Sequence, residues 1–256
     1  MTHIKPILRW QGSKSRMLKH ILTMIQPHVC YCEPFFGGGA VLFAKKPSSV
    51  EVINDINGNL VALYRNLQYH LPALLQELEW LFASRQNLHD FVAQPGITEL
   101  QRAARFLLVN RTSFSGGMRS FGVAKTKGGG VGFDHHKVSG LIGEAHKRLN
   151  GVVVENISYD RVLKNYDSRD TFHFIDPPYE NATNGGYKGW DQKQLTTFRR
   201  DVGKLKGQWI VTLNDSPFTR DLFKGCKLQS IVTQNRAVNA RTHGHATFGE
   251  LIISPK

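Results

Sequence analysis

The sequence predicts a doubly wound α/β fold with about seven strands and one inserted, mostly helical lobe. Short apolar runs typical of buried strands alternate with stretches of helical periodicity in residues 29–71 and again in residues 151–254. Residues 72–147 interrupt this alternation, because their apolar positions recur at helical spacing. We therefore expect the α/β domain to comprise residues 1–71 and 148–256, and the lobe to comprise residues 72–147.

The composition indicates a globular protein with a large positive charge. The 256 residues are 41% hydrophobic, with a formal net charge of +13 and a pI near 9.8. Nucleic acid is the usual partner of so basic a protein, and an unspecialised basic surface is the alternative. The apolar runs are too short to span a membrane, the N-terminal residues lack a signal-peptide core, and three cysteines cannot form a disulfide framework. We therefore expect a cytoplasmic protein without a membrane partner.

The first part of the α/β domain contains turns that suit ligand binding. A strand-like run from residue 29 leads into Gly37-Gly38-Gly39, a tight turn that lets a ligand approach the backbone, and a helix follows. A second strand, residues 49–55, ends in Asp55, which is well placed to bind ribose hydroxyls. A Gly-Ser-Lys turn at residues 12–14 presents backbone N–H groups and an ammonium to an anion, or simply caps the next helix.

The second part of the α/β domain contains an apolar, aromatic strand that stops at Asp176. Pro177 and Pro178 cannot donate to a sheet ladder, so the strand ends there and holds an acid, backbone carbonyls and the Tyr179 ring at the sheet edge. Ligands of open α/β sheets bind at that edge, although Asp176 as a helix cap and Tyr179 as a core residue are the alternatives. The predicted strands of this part are residues 151–157, 172–175, 208–213, 228–233 and 247–254, and a polar, Gly-rich loop over the site is predicted at residues 181–190.

The lobe combines two predicted helices with a basic, glycine-rich segment. The helices lie near residues 74–82 and 100–110, and the segment suggests a hairpin loop near residues 111–133. Arg, Phe and Ser interleaved with Gly suit contacts to phosphates and bases, and a plain surface loop is the alternative. No metal site is predicted, because companions at metal-ligand spacing are missing for Cys30, Cys32, His135, His136, His243 and His245.

Several motifs, in this order, resemble the Dam-type (D12 class, alpha group) DNA adenine-N6 methyltransferases. The resemblance covers nearly the whole chain. It implies a Rossmann-like seven-stranded methyltransferase sheet, S-adenosyl-L-methionine as methyl donor, and double-stranded DNA as substrate. The motifs are Leu8-Arg9-Trp10-Gln11-Gly12-Ser13-Lys14, Glu33-Pro34-Phe35-Phe36-Gly37-Gly38-Gly39, residues 110–119, Asp176-Pro177-Pro178-Tyr179 and Leu213-Asn214-Asp215-Ser216-Pro217-Phe218.

The resemblance also implies which residues bind the cofactor. The methionine end would lie against Phe35, Gly37 and Gly39, with Trp10 and Lys14 closing over the cofactor. The remaining implied contacts are Asp55 to the ribose, Ser158 and Tyr159 to the adenine ring, and Asp176. Many relatives have Asp at the position of Ser158, and this departure is expected to weaken one contact to the adenine amine.

For DNA, the resemblance implies that Phe114 enters the duplex and that Arg119 reads a guanine. Arg9 would contact another base, and the remaining expected DNA contacts are Arg111, Ser115, Lys125 and Lys127. The run Ser115-Gly116-Gly117 departs from the family's usual residues, so the target sequence stays open, with GATC as the candidate by resemblance. A cognate restriction endonuclease is a candidate partner, and a monomer or weak dimer is expected.

Catalysis is assigned to Asp176, Pro177 and Tyr179 on chemical grounds. The adenine N6 is a poor nucleophile because its lone pair is conjugated into the ring. The Asp176 carboxylate and the Pro177 carbonyl would each accept one N–H and stabilise the positive charge that develops, while Tyr179 stacks on a base flipped out of the duplex. The alternatives are an RNA base-amine methyltransferase and a non-catalytic, methyltransferase-like DNA-binding protein.

Overall fold

The computed structural model describes residues 4–125, 130–180, 189–234 and 247–256, and these form one seven-stranded sheet flanked by helices. The strand order is β3-β2-β1-β4-β5-β7-β6. Strands β1 to β5 pair in parallel, whereas β7 runs antiparallel to both β5 and β6. The strands are β1 (Cys30–Glu33), β2 (Val50–Asn54), β3 (Val153–Glu155), β4 (Thr171–Ile175), β5 (Gln208–Asn214), β6 (Lys227–Gln234) and β7 (Thr247–Ser254).

This topology confirms the predicted doubly wound α/β fold with seven strands. The chain winds outward from β1 through β2 to β3, then returns to β4 beside β1 and winds the other way. The order therefore reverses between β1 and β4, and a crevice opens at the carboxyl ends of these two strands. Both the glycine turn after β1 and the acid after β4 lie at this crevice.

The described helices include all of those that the sequence predicts and two that it does not. Helices α5 and α7 were not predicted, although buried apolar residues of α7, Val138, Ile142, Ala145 and Leu149, recur at helical spacing. The helices are α1 (Leu18–Met24), α2 (Ala40–Ala44), α3 (Gly58–Tyr69), α4 (Leu71–Glu79), α5 (Arg85–Ala93), α6 (Glu99–Thr112), α7 (His135–Leu149), α8 (Tyr159–Tyr166), α9 (Gln192–Val202) and α10 (Pro217–Leu222).

The predicted lobe and the sheet share a continuous buried core. Helix α3, which follows β2, packs against α4, α6 and α7 of the lobe. One apolar cluster contains Tyr31 and Ile53 from the sheet together with Leu67, Leu107 and Ile142 from α3, α6 and α7. The lobe is therefore attached rigidly through packed side chains, and the domain boundaries at residues 72–147 stay a prediction.

A buried ionic network joins the sheet to the lobe. Glu51 on β2 accepts hydrogen bonds from Lys45 Nζ at 2.5 Å and from Arg148 Nη1 and Nη2 at 2.5 and 2.8 Å. Arg148 lies on α7 and also donates to the Leu42 carbonyl at 3.0 Å. Burial opposes ionisation of Glu51, but the hydrogen bonds from Arg148 and Lys45 outweigh it and lower the Glu51 pKa.

Removing the charge of Glu51 is expected to destabilise the fold strongly. In Glu51→Gln two buried cations lose their shared partner, and the free energy of unfolding should fall by about 3 kcal/mol or more, as measured by urea denaturation. The control is Glu144→Gln, which removes an exposed carboxylate paired with Lys147 and should cost less than about 1 kcal/mol. Equal losses of unfolding free energy in the two variants would contradict the conclusion that Glu51 stabilises the fold by pairing with two buried cations.

His173 is a second buried polar residue, and its protonation is linked to folding. It lies on β4 with no exposed surface, and neither ring nitrogen has a hydrogen-bond partner in the described part of the chain. Asp167 Oδ1 lies 3.5 Å from His173 Nε2. Burial lowers the pKa of His173 from 6.5 to about 4, despite the opposing charge of Asp167. The imidazole is therefore neutral in the folded protein at pH 7.

This depressed pKa predicts acid sensitivity. Below pH 6.5 the unfolded chain takes up a proton that the folded chain refuses, so stability is lost as the pH falls from 6.5 towards 4. The loss attributable to His173 is on the order of 3 kcal/mol. Urea denaturation at pH 7.5 and at pH values down to 4.5 should show a flatter pH dependence for His173→Leu than for the wild type. Parallel curves for the two proteins would contradict the prediction.

Candidate active site

A cavity of about 390 Å³ lies at the carboxyl ends of β1, β2 and β4. Its walls come from the N-terminal segment, the turns after these strands, the start of α8, and Trp190. It brings together every residue that was predicted to act in catalysis or to bind the cofactor, and the roles of these residues stay predictions. They are Trp10, Lys14, Phe35, Gly37, Gly39, Asp55, Ser158, Tyr159, Asp176, Pro177 and Tyr179.

The glycine turn is shaped by the indole of Trp10. A Cβ added at Gly37 would lie 2.6 Å from Trp10 Nε1, and one at Gly38 would lie 2.8 Å from Trp10 Cβ. Gly37 and Gly39 also have φ values of 49° and 70°, a region that glycine adopts without strain. The turn therefore tolerates no side chain on the face that Trp10 covers, and its backbone stays accessible from the cavity.

Asp55 holds the glycine turn in place from the neighbouring strand. Its Oδ2 accepts a hydrogen bond from the Gly37 N–H at 2.9 Å, and its Oδ1 accepts one from the Asn57 N–H at 2.9 Å. Each carboxylate oxygen thus binds one backbone N–H, and Asp55 itself lines the cavity. Asp55 thus has a structural function in addition to the ribose contact predicted for it.

One wall of the cavity is aromatic. The Phe35 ring lies 5.5 Å from the Tyr159 ring at an interplanar angle of 29°, and the Trp190 ring lies 5.3 Å from that of Tyr159. Such a wall suits a flat heterocycle. Ser158 begins α8 beside it and makes no side-chain capping hydrogen bond. Sequence reasoning did not identify Trp190, which lay within the stretch predicted to be a loop over the site.

Asp176 is fixed by two neighbours at the end of β4. Its Oδ1 accepts from Thr212 Oγ1 at 2.7 Å, and its Oδ2 lies 2.7 Å from Lys14 Nζ. Lys14 is buried and also donates to the Gly12 carbonyl at 2.7 Å. The ammonium predicted to close over the cofactor is therefore also paired with the acid that is predicted to be catalytic. Thr212 was missed, because it reaches Asp176 only through the pairing of β4 with β5.

Two further acids lie near Asp176 and were not predicted to act. Glu250 on β7 accepts a hydrogen bond from the Tyr179 hydroxyl at 3.0 Å. Burial, together with the Asp176 and Glu250 carboxylates, raises the Tyr179 pKa well above its usual value, so the hydroxyl keeps its proton. Glu33 lines the cavity at the end of β1, and burial raises its pKa to about 8. Glu33 is therefore mostly protonated at pH 7.

The N-terminal segment is bound to the start of the predicted recognition hairpin. The buried Asn110 side chain accepts from the Arg9 N–H at 2.9 Å and donates to the Arg9 carbonyl at 3.0 Å. A Cβ added at Gly116 would lie 1.8 Å from the Arg9 oxygen, so the hairpin packs directly on this backbone. Arg111 donates to the carbonyls of Gly132 and Ile7, and its predicted DNA contact stays a prediction.

The predicted hairpin segment presents several side chains to solvent. Antiparallel bridges join Ser113 to Phe121 and Val123 to Val131. Phe114 is 59% exposed, and the exposed set of predicted DNA contacts comprises Arg9, Phe114, Ser115, Arg119 and Lys125. Lys127 lies outside the described residues, as do residues 181–188 of the predicted loop over the site and the basic segment with His243 and His245.

The described residues contain neither a membrane-spanning helix nor a cluster of potential metal ligands. No helix in those ranges is long and apolar enough to cross a membrane. Within the same ranges, no group of three or more His, Cys, Asp or Glu side chains is arranged to hold a metal ion.

Comparison with known proteins identifies relatives along nearly the whole chain. The Type II methyltransferase M.CviBI of Paramecium bursaria Chlorella virus NC1A is 26% identical over 87% of this chain and 87% of its own. The Type II methyltransferase M1.LlaDCHI of Lactococcus lactis subsp. cremoris is 24% identical over 98% and 95%, respectively. A DNA adenine methylase of Haemophilus influenzae is 26% identical over 97% and 92%.

The family comparison gives the same result for the chain as a whole. The sequence model of the D12 class N6 adenine-specific DNA methyltransferases matches residues 10–239. The match includes the turns after β1, β2 and β4, whose residues line the cavity. The chain therefore belongs to the D12 class N6 adenine-specific DNA methyltransferases, which use S-adenosyl-L-methionine as methyl donor.

Proposed function

We propose that the protein methylates N6 of an adenine that has been flipped out of a short, specific sequence in double-stranded DNA. The observation that carries the proposal is the position of Asp176, which borders the same cavity as the glycine turn and is held there by Lys14 and Thr212. An adenine inside a duplex cannot reach an acid at the edge of a cavity, so base flipping is required. GATC is the candidate target by resemblance to the family.

The residues that line the cavity fit S-adenosyl-L-methionine. The aromatic wall of Phe35, Tyr159 and Trp190 suits the adenine ring, and the Asp55 carboxylate lines the cavity at the end of β2, where it would accept from ribose hydroxyls. The glycine turn allows close approach of the methionine end to the backbone. When bound, the cofactor supplies an electrophilic methyl group on a sulfonium. Lys14 and Trp10 also line the cavity and would close over the cofactor.

The residues at the end of β4 would then activate the adenine amine. The Asp176 carboxylate and the Pro177 carbonyl would each accept a hydrogen bond from one N6–H, which localises the nitrogen lone pair and stabilises the developing positive charge. The Thr212 hydrogen bond fixes the rotation of the carboxylate. Each Asp176 oxygen has one described partner and two lone pairs, so an acceptor position remains for the amine.

The exposed residues of the hairpin segment would select the adenine. Arg119 has the donor geometry for a guanine, Phe114 is an exposed ring that suits insertion into the duplex, and Lys125 suits a phosphate. Arg9, whose backbone Asn110 binds, directly precedes Trp10 of the cavity in the sequence. Base recognition and chemistry would therefore share one short backbone segment. The restriction endonuclease partner and the monomeric or weakly dimeric state stay predictions.

Loss of the Asp176 carboxylate is expected to remove most of the activity. Asp176→Ala should lower the single-turnover rate of tritium transfer from S-adenosyl-L-methionine to DNA by about 100-fold or more, because one acceptor for the amine is missing. The control is Asp221→Asn, which changes an exposed carboxylate on α10 and should leave the rate unchanged. A wild-type rate for Asp176→Ala would refute the mechanism.

Base flipping is measured separately in the same variant. DNA with 2-aminopurine at the target adenine should become more fluorescent on binding to wild type and to Asp176→Ala alike, since the carboxylate acts after the base has left the duplex. The target itself is found by sequencing methylated adenines in DNA from a host that expresses the protein. RNA offered in parallel should accept no methyl group.

Arg119 is expected to determine one base pair of the target. Arg119→Ala should relax the sequence preference at a single position, with a loss of about 1–3 kcal/mol of discrimination, as read from sequenced methylation sites. Lys125→Ala is the matched cationic control. It should weaken DNA binding about equally at all sequences. It should also reduce the slope of log K against log salt concentration by about one, because one phosphate contact is lost. An unchanged target preference in Arg119→Ala would refute the assignment.

A further inference from the structure

Glu250 is a partly buried acid at the sheet edge that none of the recognised motifs contains. It lies on β7 and pairs with Asn214, the last residue of β5. Strand β4 lies on the other side of β5, with Ile175 paired to Val211, so Asp176 reaches the level of Thr212. Strand pairing alone therefore brings Glu250 close to the end of β4, although the two acids are far apart in sequence.

The contacts of Glu250 converge on the proposed adenine site. Its Oε2 accepts the Tyr179 hydroxyl at 3.0 Å and lies 3.8 Å from Lys14 Nζ. The same ammonium is 2.7 Å from Asp176 Oδ2 and 5.0 Å from the centre of the Tyr179 ring. One ammonium thus lies between two carboxylates, closer to Asp176, and the aromatic ring beside it is hydrogen-bonded to the second carboxylate.

This arrangement has a consequence for an incoming amine. A positively charged ammonium on Asp176 Oδ2 competes with the amine for the carboxylate, and repels the positive charge that develops on N6 during transfer. Glu250 lies 3.8 Å from Lys14 Nζ, so a small movement of the ammonium would give it a second carboxylate partner. Without Glu250, release of Asp176 would leave the buried lysine without its main electrostatic partner, which is costly.

The hydrogen bond from the Tyr179 hydroxyl to Glu250 also connects Glu250 with the proposed adenine site. A phenol whose hydroxyl has a fixed acceptor keeps its ring in one orientation, and a stacking platform for a base needs a fixed ring. Burial and the neighbouring carboxylates keep this hydroxyl protonated, so it remains a donor throughout the working pH range. Glu250 therefore constrains both the ring and the ammonium that border Asp176.

We infer that Glu250 is a positioning residue for methyl transfer: it orients the Tyr179 ring and receives the Lys14 ammonium when the adenine amine binds Asp176. The inference rests on the proposed function, because it requires the adenine amine to bind at Asp176. It adds Glu250, on strand β7, to the residues of the Asp176-Pro177-Pro178-Tyr179 motif that are proposed to act in methyl transfer.

The test is a double-mutant cycle between Glu250 and Lys14. Glu250→Gln keeps the size of the side chain and an acceptor for Tyr179, but removes the charge that would receive Lys14. It should lower the single-turnover rate of methyl transfer about 10-fold, with the Kd for DNA and for cofactor changed less than about twofold. In a Lys14→Met background, Glu250→Gln should have no further effect, because no ammonium needs a second partner.

A second cycle tests the contact with the ring. Glu250→Ala removes both interactions and should lower the rate more than Glu250→Gln does, whereas in a Tyr179→Phe background this extra loss should disappear. Glu79→Gln, which alters an exposed carboxylate at the end of α4, is the control and should have the wild-type rate. If Glu250→Ala does not fold, the cycle of Glu250→Gln with Lys14→Met carries the test.

The outcomes separate this inference from the proposed function. A wild-type rate for Asp176→Ala refutes the proposed function itself. If Asp176→Ala is inactive and Glu250→Gln has the wild-type rate, only the role of Glu250 is refuted. An equal effect of Glu250→Gln with and without Lys14 also refutes it, since a merely structural role would be additive. The role of Glu250 is also refuted if Glu250→Gln weakens the binding of cofactor or DNA and leaves the rate of methyl transfer unchanged.

Discussion

The ion pair between Lys14 and Asp176 connects the separate parts of the site. It joins the N-terminal segment, which contributes no strand to the sheet, to the end of the central strand β4. Lys14 is 4% exposed, so the pair lies largely outside bulk water and is screened only weakly. This contact gives the segment that bears Trp10 an ionic link to the strand whose acid it faces.

The other end of the same segment is held just as specifically. Asn110 binds both the N–H and the carbonyl of Arg9, as a neighbouring β-strand would, and Gly116 packs against that carbonyl. The segment is therefore fixed at Arg9 by the predicted recognition hairpin and at Lys14 by Asp176. Any displacement of the hairpin by DNA would act on the backbone only a few residues away from the cavity.

Charges in the interior follow one rule across the molecule. Glu51 is buried with two cations and stays ionised, whereas Glu33 and His173, buried without such compensation, shift towards their neutral forms. Near the cavity, burial outweighs the charge of Lys45 at Glu33 and raises the pKa of that carboxyl. The hydrogen bonds between Glu51 on β2 and Arg148 on α7 also join the lobe to the sheet.

The fold class and the family were readable from the sequence, because their signals are local. The glycine turn after β1, the acid after β2 and the prolines after β4 each lie next to a strand in the chain, and parallel strands bring such residues to one edge. The family resemblance added the other predicted cofactor residues, and together with the predicted catalytic residues they line one cavity. Helix α7 was missed although its apolar spacing was visible, because its polar and glycine residues obscured the pattern.

The partners of those residues could not be read in this way. Thr212 is 36 residues from Asp176, Glu250 is 71 residues from Tyr179, and Asn110 is 101 residues from Arg9. None of these three partners was identified in advance. Their contacts depend on β5 lying beside β4, on β7 inserting between β5 and β6, and on the lobe packing back over the N-terminal segment. Strand order and packing follow from the burial of the whole apolar core, and no short stretch of sequence encodes them.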